Sequence, residues 1–291
     1  MSTTLLTNTG ASLTQTFFSG ETTIDATGSV TVAASNLAGV TVAGAATATH
    51  VGAANSGAYE WALAAVAAPD LIKVVWSGTF GGVAQSLTSY VEIVGGFYIS
   101  IYDLRHSDDQ MGSAAAAKPI SNTTSWPLAT LILARQEAEN EAMRIMGHSC
   151  VARASALRLV SVKGVLHPRF AFLRSVRAAT LVIDNTVVSV ASWRIEGEDA
   201  NRIWCGLADG TAVDVIIEHG EDRVLDAISR ACLVRARHAL ARTGSKLPDT
   251  TERFTTTEFG TIFLARPGSL STGNDSVDAI YGAHRTNVGI G

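Results

Sequence analysis

The chain changes character at Gly95-Gly96, and that change constrains its fold more than any other feature. Residues 1–97 carry one basic side chain, Lys73, against five acidic ones, Glu21, Asp25, Glu60, Asp70 and Glu92. They are rich in Thr, Ser, Val, Ala and Gly, and no segment shows apolar residues at helical spacing. Short runs at 28–33, 39–43, 72–76 and 87–94 are bounded by Gly, Asn, Asp or Pro. Ile72-Lys73-Val74-Val75-Trp76 and Thr88-Ser89-Tyr90-Val91-Glu92-Ile93-Val94 have strand composition with partial alternation. Many short strands joined by small-residue turns predict an antiparallel sandwich.

Beyond Phe97 the pattern becomes mixed. Leu128, Leu131, Ile132, Ala138, Ala142 and Ile145 lie close to helical spacing and predict a helix. Ser125 is placed to cap it, Trp126 and Pro127 to begin it, and Gly147 to end it. A second helix is predicted over 222–241, from Val224, Leu225, Ile228, Ala231, Cys232, Val234, Ala236 and Leu240. Its Arg235, Arg237 and Arg242 lie toward the end where the helix dipole favours cations. Between the helices the chain returns to strand composition at 157–165, 180–190 and 211–218. In the last run Val213, Val215 and Ile217 share a face. From Thr243 onward the chain is polar and reads as an arm that takes a fixed shape only on a partner.

Composition narrows the function. The 291 residues are 47% hydrophobic and 16% charged, with a mean hydropathy of +0.22, which fits a protein that buries surface against copies of itself, although an Ala-rich proteome would leave the same composition. A net charge of −4 and a pI of about 6.0 give no basic field to grip nucleic acid. Cys150, Cys205 and Cys232 are odd in number and form no C-x-x-C, so a reducing compartment is expected. The start, Met1-Ser2-Thr3-Thr4, lacks the pattern of a secretory leader, and the most apolar stretch, near 61–68, is too short to span a bilayer. A soluble protein made in a cytoplasm and bound to no membrane is expected.

Motifs for nucleotide, zinc-protease and serine-hydrolase chemistry are absent. The paired acids Asp108-Asp109 and Glu196/Glu198/Asp199 lie in polar loops and read as solvated. His50, His106, His148, His167, His219, His238 and His284 are scattered without ligand spacing. His148 and Cys150 form a lone H-x-C with no motif for further ligands. No enzyme, cofactor or metal site is expected.

Two resemblances sharpen these expectations. Gly57-Ala58-Tyr59-Glu60-Trp61, followed by Trp76, resembles immunoglobulin-like domains, although two core aromatics of another all-β fold would leave the same pattern. From Phe97 on, the order of motifs resembles the head-to-tail adaptor (connector) proteins of long-tailed phages of actinobacteria. These motifs are Ile99-Ser100-Ile101-Tyr102-Asp103-Leu104-Arg105, Gly147-His148-Ser149-Cys150-Val151-Ala152-Arg153, Leu166-His167-Pro168-Arg169 and Ile217-Glu218-His219-Gly220. They continue with Leu247-Pro248-Asp249, Thr255-Thr256-Thr257-Glu258-Phe259-Gly260, Leu264-Ala265-Arg266-Pro267-Gly268 and Val277-Asp278-Ala279. Together they span about two thirds of the chain. Cys150 stands where an aromatic is usual and Ala152 where proline is usual, which puts local packing in question.

The resemblance implies an α+β multidomain chain. An immunoglobulin-like β-sandwich (1–97) would precede an α-helical adaptor domain (98–245) with a β insertion (155–218) and an extended C-terminal arm (246–291). It implies a structural virion protein: a homo-oligomeric ring, dodecameric in the family, beneath the portal protein. The ring would receive the neck, stopper or tail completion protein on its other face, and DNA would pass through without specific binding. Glu137 and Glu141 are candidates to face the channel, where like charge would keep DNA from sticking. Phe263, Leu264, Arg266, Val277, Ile280 and Tyr281 are candidates for the portal-docking arm. The alternative is a decoration module whose immunoglobulin-like domain recognises a host surface.

Overall fold

The computed structural model describes residues 3–107, 120–197, 199–243, 253–256, 260–263 and 271–286, with backbone alone for 242–243 and for the strands between 253 and 263. Strand prevails over helix. Two compact units form. One comprises Met1–Gly96, Ala152–Pro168 and Leu173–His219; the other comprises Phe97–Val151, Arg169–Phe172 and Gly220–Gly291.

The first unit begins with ten strands: β1 (Thr3–Leu6), β2 (Ala11–Thr16), β3 (Phe18–Ser19), β4 (Thr22–Thr23), β5 (Thr31–Ser35), β6 (Thr41–Thr47), β7 (Thr49–Val51), β8 (Ala58–Leu63), β9 (Asp70–Phe80) and β10 (Val83–Val94). One sheet runs β1-β10-β9-β5-β6, with β1 parallel to β10; a second runs β2-β8-β7. Their inner faces share one core. Leu13, Phe17, Tyr59 and Leu63 meet Val32, Ile72, Val74, Trp76 and Val91. Phe17 stacks on Phe80 at 4.1 Å, and the buried Tyr59 hydroxyl accepts from the Ala26 amide at 2.7 Å. Trp76 is sealed, with its Nε1 donating to Ser89 at 3.1 Å. This satisfies the indole donor that burial would otherwise strand.

The same unit continues with β11 (Arg153–Val160), β12 (Val165–Leu166), β13 (Leu173–Leu181), β14 (Val187–Val188), β15 (Arg194–Glu196), β16 (Arg202–Trp204) and β17 (Ala212–His219). They make a sheet β11-β17-β13-β14 and a smaller one β12-β16-β15. β17 alternates as its sequence predicts: Val213, Val215, Ile217 and His219 are buried and the residues between them are not. The run predicted at 180–190 is divided, because Asn185 takes a left-handed conformation (φ 58°) and turns the chain between β13 and β14. Two links join this β region to the N-terminal strands. Arg153 pairs with Glu92 at 2.8 Å, and Arg177 bridges the Pro69 carbonyl and Glu218. The compact unit therefore takes in the insertion, apart from 169–172, as well as residues 1–96.

The second unit holds α1 (Ile101–Arg105), α2 (Leu128–Met146), α3 (Asp226–Thr243), β18 (Arg253–Thr256), β19 (Gly260–Phe263) and α4 (Asp275–Ala283). Ser100 caps α1 by accepting from the Asp103 amide. Ser125 does not cap α2. The Asn122 side chain takes up the Thr124 and Ser125 amides, and Pro127, with its preset φ of −56°, stands at the helix start. Gly147 ends α2 in the left-handed region (φ 80°), its amide donating to the Met143 carbonyl.

Candidate functional site

The helix pair is built from small side chains. Leu131, Ala134, Ala138, Ala142 and Ile145 line the buried stripe of α2; Ile228, Ala231, Cys232, Ala236 and Leu240 line α3. The alanines let the two backbones approach closely. Leu128, predicted for the stripe, is 55% exposed at the helix start. The C-terminal half of α3 is buried almost all round, including Arg235, Arg237 and His238. Those arginines are therefore not a surface complement to the helix dipole. Arg237 donates to the buried Ser107, and Arg235 forks onto Glu141 through Nε at 2.6 Å and a terminal nitrogen at 3.0 Å.

That fork separates the two candidate channel residues. Glu137 lies exposed on α2, whereas Glu141 turns to α3 and has both oxygens engaged. Glu141 is thus corrected from a channel-facing residue to the partner of a buried cation. Replacing it with alanine leaves Arg235 buried without its counter-charge. A loss of about 2–3 kcal/mol is expected by urea denaturation, below the full penalty of a sealed pair because Arg235 and Glu141 keep 9% and 14% exposure. Replacing both by leucine should recover much of it.

The candidate arm is corrected in the same way. Residues 271–286 do not extend. The Asn274 side chain accepts from the Ser276 and Val277 amides and starts α4, and the Asp278 carboxylate accepts from Ser271 and the Thr272 amide. Val277 and Tyr281, one helical turn apart, then enter the core of α2 and α3. Tyr281 is fully buried, its hydroxyl 3.3 Å from the Cys232 sulfur; Ile280 packs at the edge. The cause is a short apolar face at i and i+4 inside a polar stretch. Phe263 ends β19, its side chain not described, and Leu264 and Arg266 lie outside the described residues.

The sequence motifs at 147–153, 166–169 and 217–220 are distant along the chain, yet in the second unit three short passages meet. The Gly220 amide donates to Phe172 and the Glu221 amide to Ser149, at 2.9 and 3.0 Å. Gly220 (φ 106°) fits because a Cβ there would stand 2.1 Å from the Val151 carbonyl oxygen. His148 is buried, edge-on to the Phe172 ring and with Nε2 3.3 Å from Glu221. The Cys150 amide donates to the Tyr98 hydroxyl at 2.7 Å, and burial pushes the Cys150 thiol up to about 12. His148, Cys150 and Glu221 present ligand atoms within 4.8 Å of one another. The H-x-C is visible in the sequence, but Glu221 carries no signal that would join it to that pair.

The other histidines do different work. His219 ends β17, buried beside Ser155 at 3.0 Å. Burial first, and Arg153 second, pull it down to about 4. His238 is likewise held near 4 by burial and by Arg235 and Arg237. His50, Asp25 and Ser56 meet, but Asp25 at 2.8 Å and Ser56 at 3.2 Å share the same ring nitrogen, Nε2. No relay can run from one ring nitrogen to the other, and the Ser56 hydroxyl donates to the Val51 carbonyl. Asp25 also accepts from the Asn55 and Gly57 amides, so the cluster fastens the turn between β7 and β8. His167 and Glu196 are exposed; Asp108, Asp109 and Glu198 lie outside the described residues.

One surface feature escaped the sequence reading. At the end of the β11-β17-β13-β14 sheet, where Val160 pairs with Ala212 and Leu181 with Val213, Val160 and Val162 are 51% exposed, Ile183 90% and Val187 77%. Apolar side chains gathered at one sheet end are uncommon on a free surface. No helix among the described residues is long and apolar enough to cross a membrane.

No family model matches the chain, and no curated protein matches it. Among solved structures it is similar to a chain from the neck of an empty GTA (gene transfer agent) particle, with a TM-score of 0.40 and 14% identity, covering 63% of this chain and 88% of that one. A fragment of the titin I-band, I67–I69, gives a TM-score of 0.20 and 6% identity, covering 78% of this chain and 54% of that one, so the chain spans about half of the titin fragment. Both scores are too low for a shared fold to follow.

Proposed function

We propose that the chain is a non-enzymatic structural protein of a tailed-phage particle, a head-to-tail adaptor that forms a ring beneath the portal. The observation that carries this reading is the meeting of the adaptor-like motifs. Ser149 of the 147–153 motif accepts from the amide of Glu221, the residue after the 217–220 motif, so two motifs that resemble that family in their order lie side by side rather than strewn over the surface. The ring would join the portal protein to a stopper or tail completion protein, with DNA passing through unbound. The strand order β1-β10-β9-β5-β6 opposed to β2-β8-β7 supports an immunoglobulin-like reading of residues 1–96.

The structure changes which surfaces this role can use. The apolar stripes of α2 and α3 fill each other, so contact between copies falls to residues still exposed: Leu128 and Leu133 on α2, and the tip carrying Ile183 and Val187. Of the two channel candidates, Glu137 is the exposed one. Electron microscopy of the purified protein and of virions is expected to show a ring on the portal axis. Ile183→Asp with Val187→Asp should shift the isolated protein toward smaller species in light scattering, with its melting temperature unchanged. A strictly monomeric protein absent from virions removes the proposal.

A further inference from the structure

The geometry points to a divalent metal site of the zinc class at His148 Nε2, Cys150 Sγ and Glu221. Imidazole, thiolate and one carboxylate form a mixed N/S/O donor set, which suits Zn²⁺ and not the oxygen-preferring Mg²⁺ or Ca²⁺. The three donor atoms lie within 4.8 Å of one another, and closing on bonds of about 2.0–2.3 Å needs only small side-chain movement. The backbone that presents them is fixed on both sides. Gly147 turns the chain out of α2, the Cys150 amide is held by Tyr98, and the Glu221 amide is tied to Ser149 of the His-x-Cys loop.

The independent observation is the state of His148. Its side chain is 2% exposed, and its Nε2 makes no well-directed hydrogen bond although it is buried and aimed at the cluster. Its other nitrogen, Nδ1, lies 3.4 Å from the Met146 carbonyl and 3.3 Å from the Thr286 hydroxyl. A proton on Nδ1, donated to that carbonyl, leaves Nε2 as a lone pair, the arrangement by which ligating histidines are oriented. In that tautomer the lone pair faces the Glu221 oxygen at 3.3 Å, acceptor against acceptor. A cation in that gap satisfies both. The metal-free alternative is a neutral ring with its proton on Nε2, donated to Glu221, and Nδ1 facing the Thr286 hydroxyl.

Binding displaces one proton. The Cys150 S–H bond breaks, sulfur bonds the metal, and the proton leaves to solvent, so affinity rises with pH. Glu221, with 29% of its side chain exposed, marks the side from which the ion enters and where water completes the fourth position. The ion would clamp the loop after α2 to the approach to α3. This inference does not rest on the ring.

Co²⁺ serves as the probe. Added to tag-free, reduced, full-length protein at neutral pH, it is expected to bind one ion per chain. A thiolate-to-cobalt band should appear in the near ultraviolet with tetrahedral bands in the visible, and both should vanish when Zn²⁺ is added. Cys150→Ser should abolish the thiolate band, and Glu221→Gln should weaken binding at least about tenfold. Circular dichroism verifies that each variant is folded. Should Cys150→Ser not fold, Glu221→Gln and Zn²⁺ competition on the unmodified protein decide the matter. Folded wild-type protein that shows no thiolate band in excess Co²⁺, or binding unchanged in Glu221→Gln, overturns the site and leaves a plain histidine–glutamate ion pair.

Discussion

A chain ended at Gly268 is expected to lose the cooperative melting of the helical unit, not merely a partner contact. Removing α4 strips Val277 and Tyr281 from the core shared with α2 and α3 and leaves the space they filled. Tyr281→Ala alone should cost about 3–5 kcal/mol, the range for deleting a large buried aromatic. Tyr281→Phe should cost far less, since it keeps the ring and gives up only a contact with the Cys232 sulfur. Urea denaturation followed by near-ultraviolet circular dichroism measures both. A truncated protein with an unchanged transition would mean that α4 is a detachable arm after all, as its polar surroundings suggest.

Acidification is expected to destabilise the fold steeply between pH 6.5 and 4. In the unfolded chain His219 and His238 take protons near 6.5; in the folded chain both stay neutral until about 4. Over that window unfolding takes up protons, so stability falls as pH drops and the full contribution is lost by about pH 4. Each histidine is shifted far enough to be worth about 3 kcal/mol across the window. Above pH 6.5 neither contributes any slope. Urea midpoints measured from pH 7 down to 4 test this, and His238→Gln should flatten the curve. A midpoint independent of pH in that range would mean that both rings are protonated in place.

Much of the fold could be read from the residues because two periods are clean. Val213, Val215 and Ile217 alternate on a strand buried on one face, and Ala138, Ala142 and Ile145 repeat on a helix stopped by Gly147. The failures share a physical origin: they depend on what packs against a residue and not on its neighbours in sequence. Arg235 and Arg237 look like solvated cations at a helix end, yet α3 is enclosed and each finds a polar group from elsewhere in the chain. Val277 and Tyr281 form a face too short to stand out among Asp, Ser and Gly. The same holds for the candidate metal ligands, since a backbone hydrogen bond between Glu221 and Ser149 leaves no trace in composition.

The route of the chain has a consequence for how such a protein can evolve. The backbone crosses between its compact units five times, at 96/97, 151/152, 168/169, 172/173 and 219/220. Neither unit is therefore one contiguous stretch of coding sequence. A recombination event at the Gly95-Gly96 seam would exchange the front sandwich while stranding its bonded partners Arg153 and Ala152 on the other side. Lineages that trade front modules must re-match that seam with each exchange, so inheritance of the whole chain as a block is the easier course.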